Sequence, residues 1–252
     1  MKNILLTNDD GVFAEGIKEL ARILQKKYHV TVVAPDRERS AASHSLTLHY
    51  PLRIVEVSNN KYAIDGTPAD CVILAINSIL KIKPDLVISG INNGPNMGED
   101  ILYSGTVSAA IEAMNMGYPA ISVSLASYQK GNFADCAAII DSFLNKDFLS
   151  ILTPKTILNI NIPPFSINEI KGIKVTKMGH RIYTDFIEER KDPRGKPYFW
   201  IGGQIPEWSE GGETDFDAIK SGYVSITPIT IEMTNFKYFP IIENWINKIK
   251  RK

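Results

Sequence analysis

Asn3-Ile4-Leu5-Leu6-Thr7-Asn8-Asp9-Asp10-Gly11 is the stretch on which the reading of this chain turns. An unbroken apolar run, rather than an alternating one, predicts a strand at Asn3–Leu6 covered on both faces. It runs straight into two carboxylates and a glycine, and a helical pattern follows over Gly16–Lys27. The same order continues with a strand at Val30–Ala34, a helix at Cys71–Leu80, a strand at Asp85–Ser89, a helix at Val107–Met116, a strand at Ala120–Leu125 and a helix at Phe133–Leu144. Alternation of this kind predicts an α/β fold, a parallel sheet with helices on both faces. Ligands of such sheets bind beyond the carboxyl ends of the strands, where the strand order reverses. Asp9 and Asp10 therefore stand where function is expected.

From Leu158 the pattern changes to short segments: Leu158–Ile162, Ile173–Thr176, Tyr183–Glu189, Tyr198–Ile201 and Tyr223–Thr227, punctuated by Pro163-Pro164, Asp192-Pro193-Arg194-Gly195 and Gly211-Gly212. This reads as a β-rich C-terminal extension. Lys191–Lys196 reads as the tip of a long hairpin, either an arm around another subunit or a plain solvent-exposed turn. The acidic, Gly-rich stretch Glu207–Asp217 reads as a mobile loop. Ile241, Ile242, Trp245, Ile246 and Ile249 recur at helical spacing, giving a closing amphipathic helix with a basic tail. The expectation is one domain over 1–252, with an α/β core at 1–157 and an oligomerising extension at 158–252.

With 252 residues, 44% of them hydrophobic, the chain can bury a large core. Lys plus Arg and Asp plus Glu are 28 each, which argues against a nucleic-acid polymer or an anionic membrane as a required partner. A small anionic substrate needs only a local field. No apolar run approaches the roughly 20 residues of a membrane span, and no leader pattern opens the chain, so the expected compartment is the cytoplasm. Cys71 and Cys136 lack any CxxC or histidine neighbourhood and read as core thiols.

Adjacent carboxylates at Asp9 and Asp10 repel each other and lose hydration, a cost that a divalent cation cancels. The competing reading is a turn in which one Asp caps the following helix. Other strand ends supply partners. After the second strand, Pro35 to His44 is a polar loop whose Ser40 offers a hydroxyl oxygen or simply caps a helix; Arg37, Arg39 and His44 either aid an anionic substrate or form solvated ion pairs. After the third strand, Gly90-Ile91-Asn92-Asn93-Gly94-Pro95-Asn96-Met97-Gly98 carries far more special backbone than an ordinary connection needs. There the Asn92 amide oxygen suits a cation and the Asn96 amide suits a phosphoryl oxygen. Tyr103-Ser104-Gly105-Thr106 leads into a small-residue helix, where hydroxyls and free N–H groups make an anion site, or where Ser and Thr merely cap.

Loops that follow parallel strands converge on one rim. The donors are all oxygens, which suits Mg²⁺ or Mn²⁺ and disfavours zinc. A cation beside an anion-binding helix end is equipment for phosphoryl transfer. There is no GxxxxGK[ST], no GxGxxG after the first strand and no Gly-x-Ser-x-Gly, and an Asp-x-Asp nucleophile is absent because Gly11 and Val12 follow Asp9 and Asp10 at that spacing. The acids are therefore read as metal ligands, with water attacking. For the leaving group, His44 is one candidate acid; water on the cation, or no dedicated acid, is the other. A non-enzymatic Mg-binding phospho-receiver or nucleotide-sensing module is the alternative, but it predicts a phosphoacceptor Asp at the end of the third strand, where Ser89 and Gly90 stand.

The chain resembles the survival protein SurE family of metal-dependent 5′/3′-nucleotidases. The matching stretches are Leu5–Gly11, Ala34–Ser40, Gly66–Val72, Ser89–Asn96, Tyr103–Val107 and Gly222–Pro228. The resemblance implies a Rossmann-like core and a nucleoside monophosphate phosphohydrolase of loose specificity, a 5′-nucleotidase, working as a homodimer or homotetramer through exchanged C-terminal elements. It implies one divalent metal ion per subunit on Asp9, Asp10, Ser40 and Asn92, phosphate held by Asn96, Ser104, Gly105 and Thr106, and Asp9, Asp10 and Asn96 as the catalytic set. One departure is Ala113, where the family pattern has glycine after the position of Glu112; it touches helix packing more than chemistry.

Overall fold

The computed structural model describes residues 2–127, 131–153, 155–182, 186–202, 207–208 and 211–249. In chain order the elements are β1 (Asn3–Thr7), α1 (Glu15–Leu24), β2 (His29–Pro35), β3 (Ile54–Ser58), β4 (Lys61–Ile64), α2 (Pro68–Leu74), β5 (Leu86–Asn93), α3 (Gly105–Asn115), β6 (Ala120–Leu125), α4 (Phe133–Phe143), α5 (Lys146–Ile151), β7 (Ile157–Ile162), β8 (Ile173–Val175), β9 (Arg181–Ile182), β10 (Phe186–Lys191), β11 (Pro197–Gly202), β12 (Glu207–Trp208), α6 (Asp215–Lys220), β13 (Val224–Ile229) and α7 (Phe239–Ile249).

One sheet of nine strands runs in the order β3-β4-β2-β1-β5-β6-β7-β13-β8. The six strands from β4 to β7 are mutually parallel, and β3 and β13 pair antiparallel at its two flanks. The chain moves outward from β1 to β2 and β4, then returns to place β5 on the other side of β1. The order thus reverses at the carboxyl end of β1. Both sheet faces are covered, which explains the unbroken apolar strands: Ile4 and Leu6 pack with Leu20, Phe133 and Ile140 of α1 and α4, while Leu5 packs with Val72, Val107 and Ala110 of α2 and α3. The expected α/β fold with helices on both faces is the observed one.

Several local readings are corrected. The third strand continues past Ser89 to Asn93, because Gly90 lets the backbone press against β6; a Cβ there would lie 2.3 Å from the Val123 carbonyl oxygen. The helix expected at Cys71 begins at Pro68 under a Thr67–Asp70 capping box and ends in a π-helical turn, Ala75–Ile79. The hairpin β3–β4 and the short helix α5 were unforeseen. Within the expected loop Glu207–Asp217, residues 207–208 form β12 and Thr214 caps α6; residues 209–210 lie outside the described residues. Of the run Tyr183–Glu189, residues 186–189 fall in β10 and 183–185 lie outside the described residues, as does the basic tail at 250–252.

The hairpin β10–β11 stands as its own two-stranded sheet, with Lys191 opposite Pro197 and a turn between them. Ile187, Phe199, Trp200 and Ile201 on it are exposed, and α7 buries none of its residues. Among the described residues, no helix is long and apolar enough to cross a membrane.

Candidate functional site

Neither aspartate caps α1. The N-cap is Ala14, with no side-chain hydrogen bond. The turn is built instead by Asn8, whose Nδ2 donates to the Gly11 carbonyl (3.0 Å) and whose Oδ1 accepts from Gly11 N–H (3.2 Å). Asn8 does the local work and releases both carboxylates for other partners.

Those partners come from three other segments. Thr106 Oγ1 donates to Asp9 Oδ1 at 2.5 Å, and the Thr106 N–H also acts on that carboxylate. Asn93 N–H, at the end of β5, donates to Asp10 Oδ2 (3.1 Å). Arg39 N–H, in the loop after β2, donates to the Asp9 carbonyl (2.8 Å), and Ser43 N–H of that loop donates to the Tyr103 carbonyl just before α3 (3.2 Å). The loops after β1, β2 and β5 and the N-terminus of α3 therefore meet at the aspartate pair, where the strand order reverses.

Gly105 is the closest fit in this arrangement. A Cβ there would lie 2.8 Å from Asp9 Cβ, 3.0 Å from Asp9 Oδ2 and 3.1 Å from Pro68 Cγ. Its lack of a side chain lets the first turn of α3 lie directly against Asp9, where the Thr106 N–H reaches the carboxylate.

The electrostatics follow from burial. Asp9, only 4% exposed, is held above the usual carboxylate range chiefly by desolvation, against the Thr106 hydrogen bonds that favour its charge. Desolvation and the neighbouring charge of Asp9 push Asp10 up to about 6, with Asn93 N–H opposing. Glu38 adds a third negative charge that raises both. A buried carboxylate with a half-buried second one beside it and the Glu38 charge nearby fits a hard divalent cation.

The remaining candidates are placed as follows. Ser40 is exposed and its Oγ donates to Glu38 Oε1 (2.7 Å), next to Arg39, whose N–H reaches the Asp9 carbonyl. Asn92 Nδ2 donates to the Gly94 carbonyl (2.9 Å), which orients the amide and leaves its oxygen as the atom it can offer. Ser104 is a cap: its Oγ accepts from Val107 N–H (3.1 Å), while its own hydrogen can still be donated. Asn96 is buried, and its Nδ2 donates to Ser124 Oγ (2.8 Å), which occupies one of its two amide hydrogens. His44 Nε2 lies 2.7 Å from Glu112 Oε2. Glu112 sits about 10 Å along α3 from Gly105 at 1.5 Å rise per residue, which places this pair farther along the helix than its first turn. The Arg39 guanidinium turns to the Asp65 carbonyl (2.9 Å), away from the acids.

Sequence reading passed over Asn159, Asn161 and Asp215. All are fully buried and bonded to the segment that carries Asn96 and Gly98. For the two asparagines, polar residues in a strand otherwise made of Ile and Leu were the available signal.

The family described as survival protein SurE matches residues 4–185. The 5′-nucleotidase SurE of Histophilus somni is 50% identical over 98% of this chain and 99% of its own, and that of Carboxydothermus hydrogenoformans 47% identical over 98% and 97%. The crystal structure of the SurE protein from Aquifex aeolicus superposes with a TM-score of 0.86 at 43% identity, covering 96% of this chain and 99% of that one.

Proposed function

The chain belongs to the survival protein SurE family, and from that membership we infer that it is a 5′-nucleotidase, a phosphomonoesterase that hydrolyses nucleoside monophosphates to nucleoside and phosphate. One observation carries the mechanism: two adjacent carboxylates that cap nothing, buried Asp9 against the N-terminus of α3 and half-buried Asp10 against Asn93 N–H, lie at the point where the strand order reverses.

Asp9 and Asp10 hold one divalent cation per subunit, Mg²⁺ or Mn²⁺, with the Asn92 amide oxygen and the Ser40 hydroxyl completing the protein donors. A cation there supplies charge neutralisation at the phosphoryl oxygens and acidifies water in the site. Gly105 offers its N–H to the phosphate, Ser104 its hydroxyl hydrogen and Asn96 its second amide hydrogen, with the Thr106 N–H shared between the phosphate and Asp9, so the charge that develops on the equatorial oxygens meets donors already in place. Thr106 Oγ1 also donates to Asp9, which favours the ionised form against the desolvation that opposes it and aims the carboxylate. The receiver alternative has no support, since Ser89 and Gly90 offer no carboxylate to phosphorylate.

Assembly as a homodimer or homotetramer through the β10–β11 arm and α7 is the accompanying reading, supported by their exposed apolar side chains. The deciding assay is phosphate release from AMP and other nucleoside monophosphates with Mn²⁺ or Mg²⁺, with and without EDTA. Turnover dependent on added cation is expected; turnover undiminished in EDTA overturns the mechanism.

A further inference from the structure

We propose that Asn161 and Asp215 are positioning residues for this reaction, fixing at Asn96 and at Gly98 the irregular segment that follows Asn92 and carries Asn96 at the site. The proposal rests on the nucleotidase reading above.

Residues 94–97 belong to no helix or strand, yet they carry or adjoin two of the groups the chemistry uses. Asn161, on β7, pairs with both backbone groups of Asn96: its Oδ1 accepts from Asn96 N–H and its Nδ2 donates to the Asn96 carbonyl, both at 2.9 Å. A side-chain amide here does the work of a neighbouring strand. Asn159 adds a second donor to the same carbonyl (2.8 Å), and its own Oδ1 is held by Ser122 Oγ (2.9 Å). With Asn96 Nδ2 on Ser124 Oγ, every one of these contacts runs to or within β6 and β7.

Gly98, two residues further on, is tied differently. Asp215, at the start of α6, is 0% exposed, and its carboxylate accepts from Gly98 N–H (2.8 Å), Gly179 N–H (2.8 Å) and Phe216 N–H (2.9 Å). It bridges the end of the catalytic segment to the strand root from which the C-terminal arm departs. Beside it, His180 and Glu99 form an ion pair between the same two segments.

Burying this many polar groups costs stability that aliphatic side chains would not. Their arrangement explains the expenditure. An amide oxygen on a cation and an amide hydrogen on a phosphoryl oxygen serve only when placed within a fraction of an ångström.

The test compares Asn161→Leu and Asp215→Asn with Tyr28→Phe, which removes a hydrogen bond to the Leu144 carbonyl (2.6 Å) far from the site. Each protein is assayed below its melting temperature, with folding checked by circular dichroism, for AMP turnover and, by calorimetry, for Mn²⁺ binding. Loss of about tenfold or more in kcat/KM and in Mn²⁺ affinity is expected for the first two variants, and no change in either for Tyr28→Phe. Unaltered Mn²⁺ affinity and turnover in folded Asn161→Leu and Asp215→Asn, with only a lowered melting temperature, overturn the proposal. If neither accumulates folded, Ser122→Ala, which removes only the hydroxyl holding Asn159, decides the matter: a several-fold loss of Mn²⁺ affinity supports the proposal and none overturns it. Should the wild type fail to hydrolyse AMP, the nucleotidase reading has failed on its own, and the Mn²⁺ titrations still decide whether these residues place the segment.

Discussion

The rim around Asp9 and the arm made of β10–β11 and α7 both invert the usual placement of residues, in opposite directions. At the rim, a carboxylate 4% exposed lies beside a second acid and near Glu38. On the arm, Ile201 is 86% exposed and Trp245 59%. Buried charge calls for a counter-charge, and exposed apolar surface calls for a cover. The rim is therefore unfinished chemically and the arm unfinished sterically: the proposed cation would complete the first, and the proposed second copy of the chain the second.

Removing the charge should produce the largest effect. The double variant Asp9→Asn/Asp10→Asn is expected to lose about a thousandfold or more of Mn²⁺-dependent AMP hydrolysis, read as phosphate release, while melting no lower than wild type, since the buried repulsion is gone. Retained turnover would break the comparison at its root. Gly105→Ala tests the contact rather than the charge. Its methyl group must displace Asp9 or the first turn of α3, and a loss of about ten- to a hundredfold in kcat/KM is expected, with about 1–3 kcal/mol of stability lost in urea.

On the arm, Ile242→Glu/Trp245→Glu should reduce the mass measured by light scattering to that of a smaller assembly. Turnover per chain should change at most a few-fold, because the aspartates and their partners come from residues 8–106. Unchanged mass would show that this face needs no cover.

The smallest effect concerns pH. Asp10 titrates at about 6 folded against an ordinary 3.8, and Asp9 is raised as well, so the cation-free folded chain binds more protons than the unfolded one within that window. Its stability should fall as pH rises from about 4 to about 6 and stay lower above. Cation binding needs both acids ionised and has the opposite trend. At a hundredfold excess over its Kd, Mn²⁺ should raise the melting temperature by about 5 °C or more at about pH 7.5, and markedly less at about pH 5. An equal rise at both would contradict the shifted acids.

How far the sequence disclosed this follows from the physics of each signal. Strands covered on both faces are largely apolar runs, so β1, β2 and β6 are placed to within a residue or two, and β7 is placed as closely by its alternation. In the hairpin β3–β4 the edge strand β3 is mostly exposed and β4 is only four residues long, so neither shows that run and the hairpin is not foreseen. Asp9 and Asp10 read more readily as a cap than as ligands; only the Asn8 turn and the cap at Ala14, both matters of three dimensions, remove that reading. Asp215 looked like part of an acidic loop because its three backbone donors come from distant or unremarkable positions that leave no local pattern.

The division of labour along the chain also sets an order of completion. A polypeptide leaving the ribosome has delivered every proposed ligand and phosphate donor by Thr106, but Asn159, Asn161 and Asp215 follow much later. The nascent chain thus carries a full inventory of reactive groups without the means to align them. A fragment ending at Leu152 should retain both aspartates and show no phosphate release from AMP; hydrolysis begins only when the last third has been made.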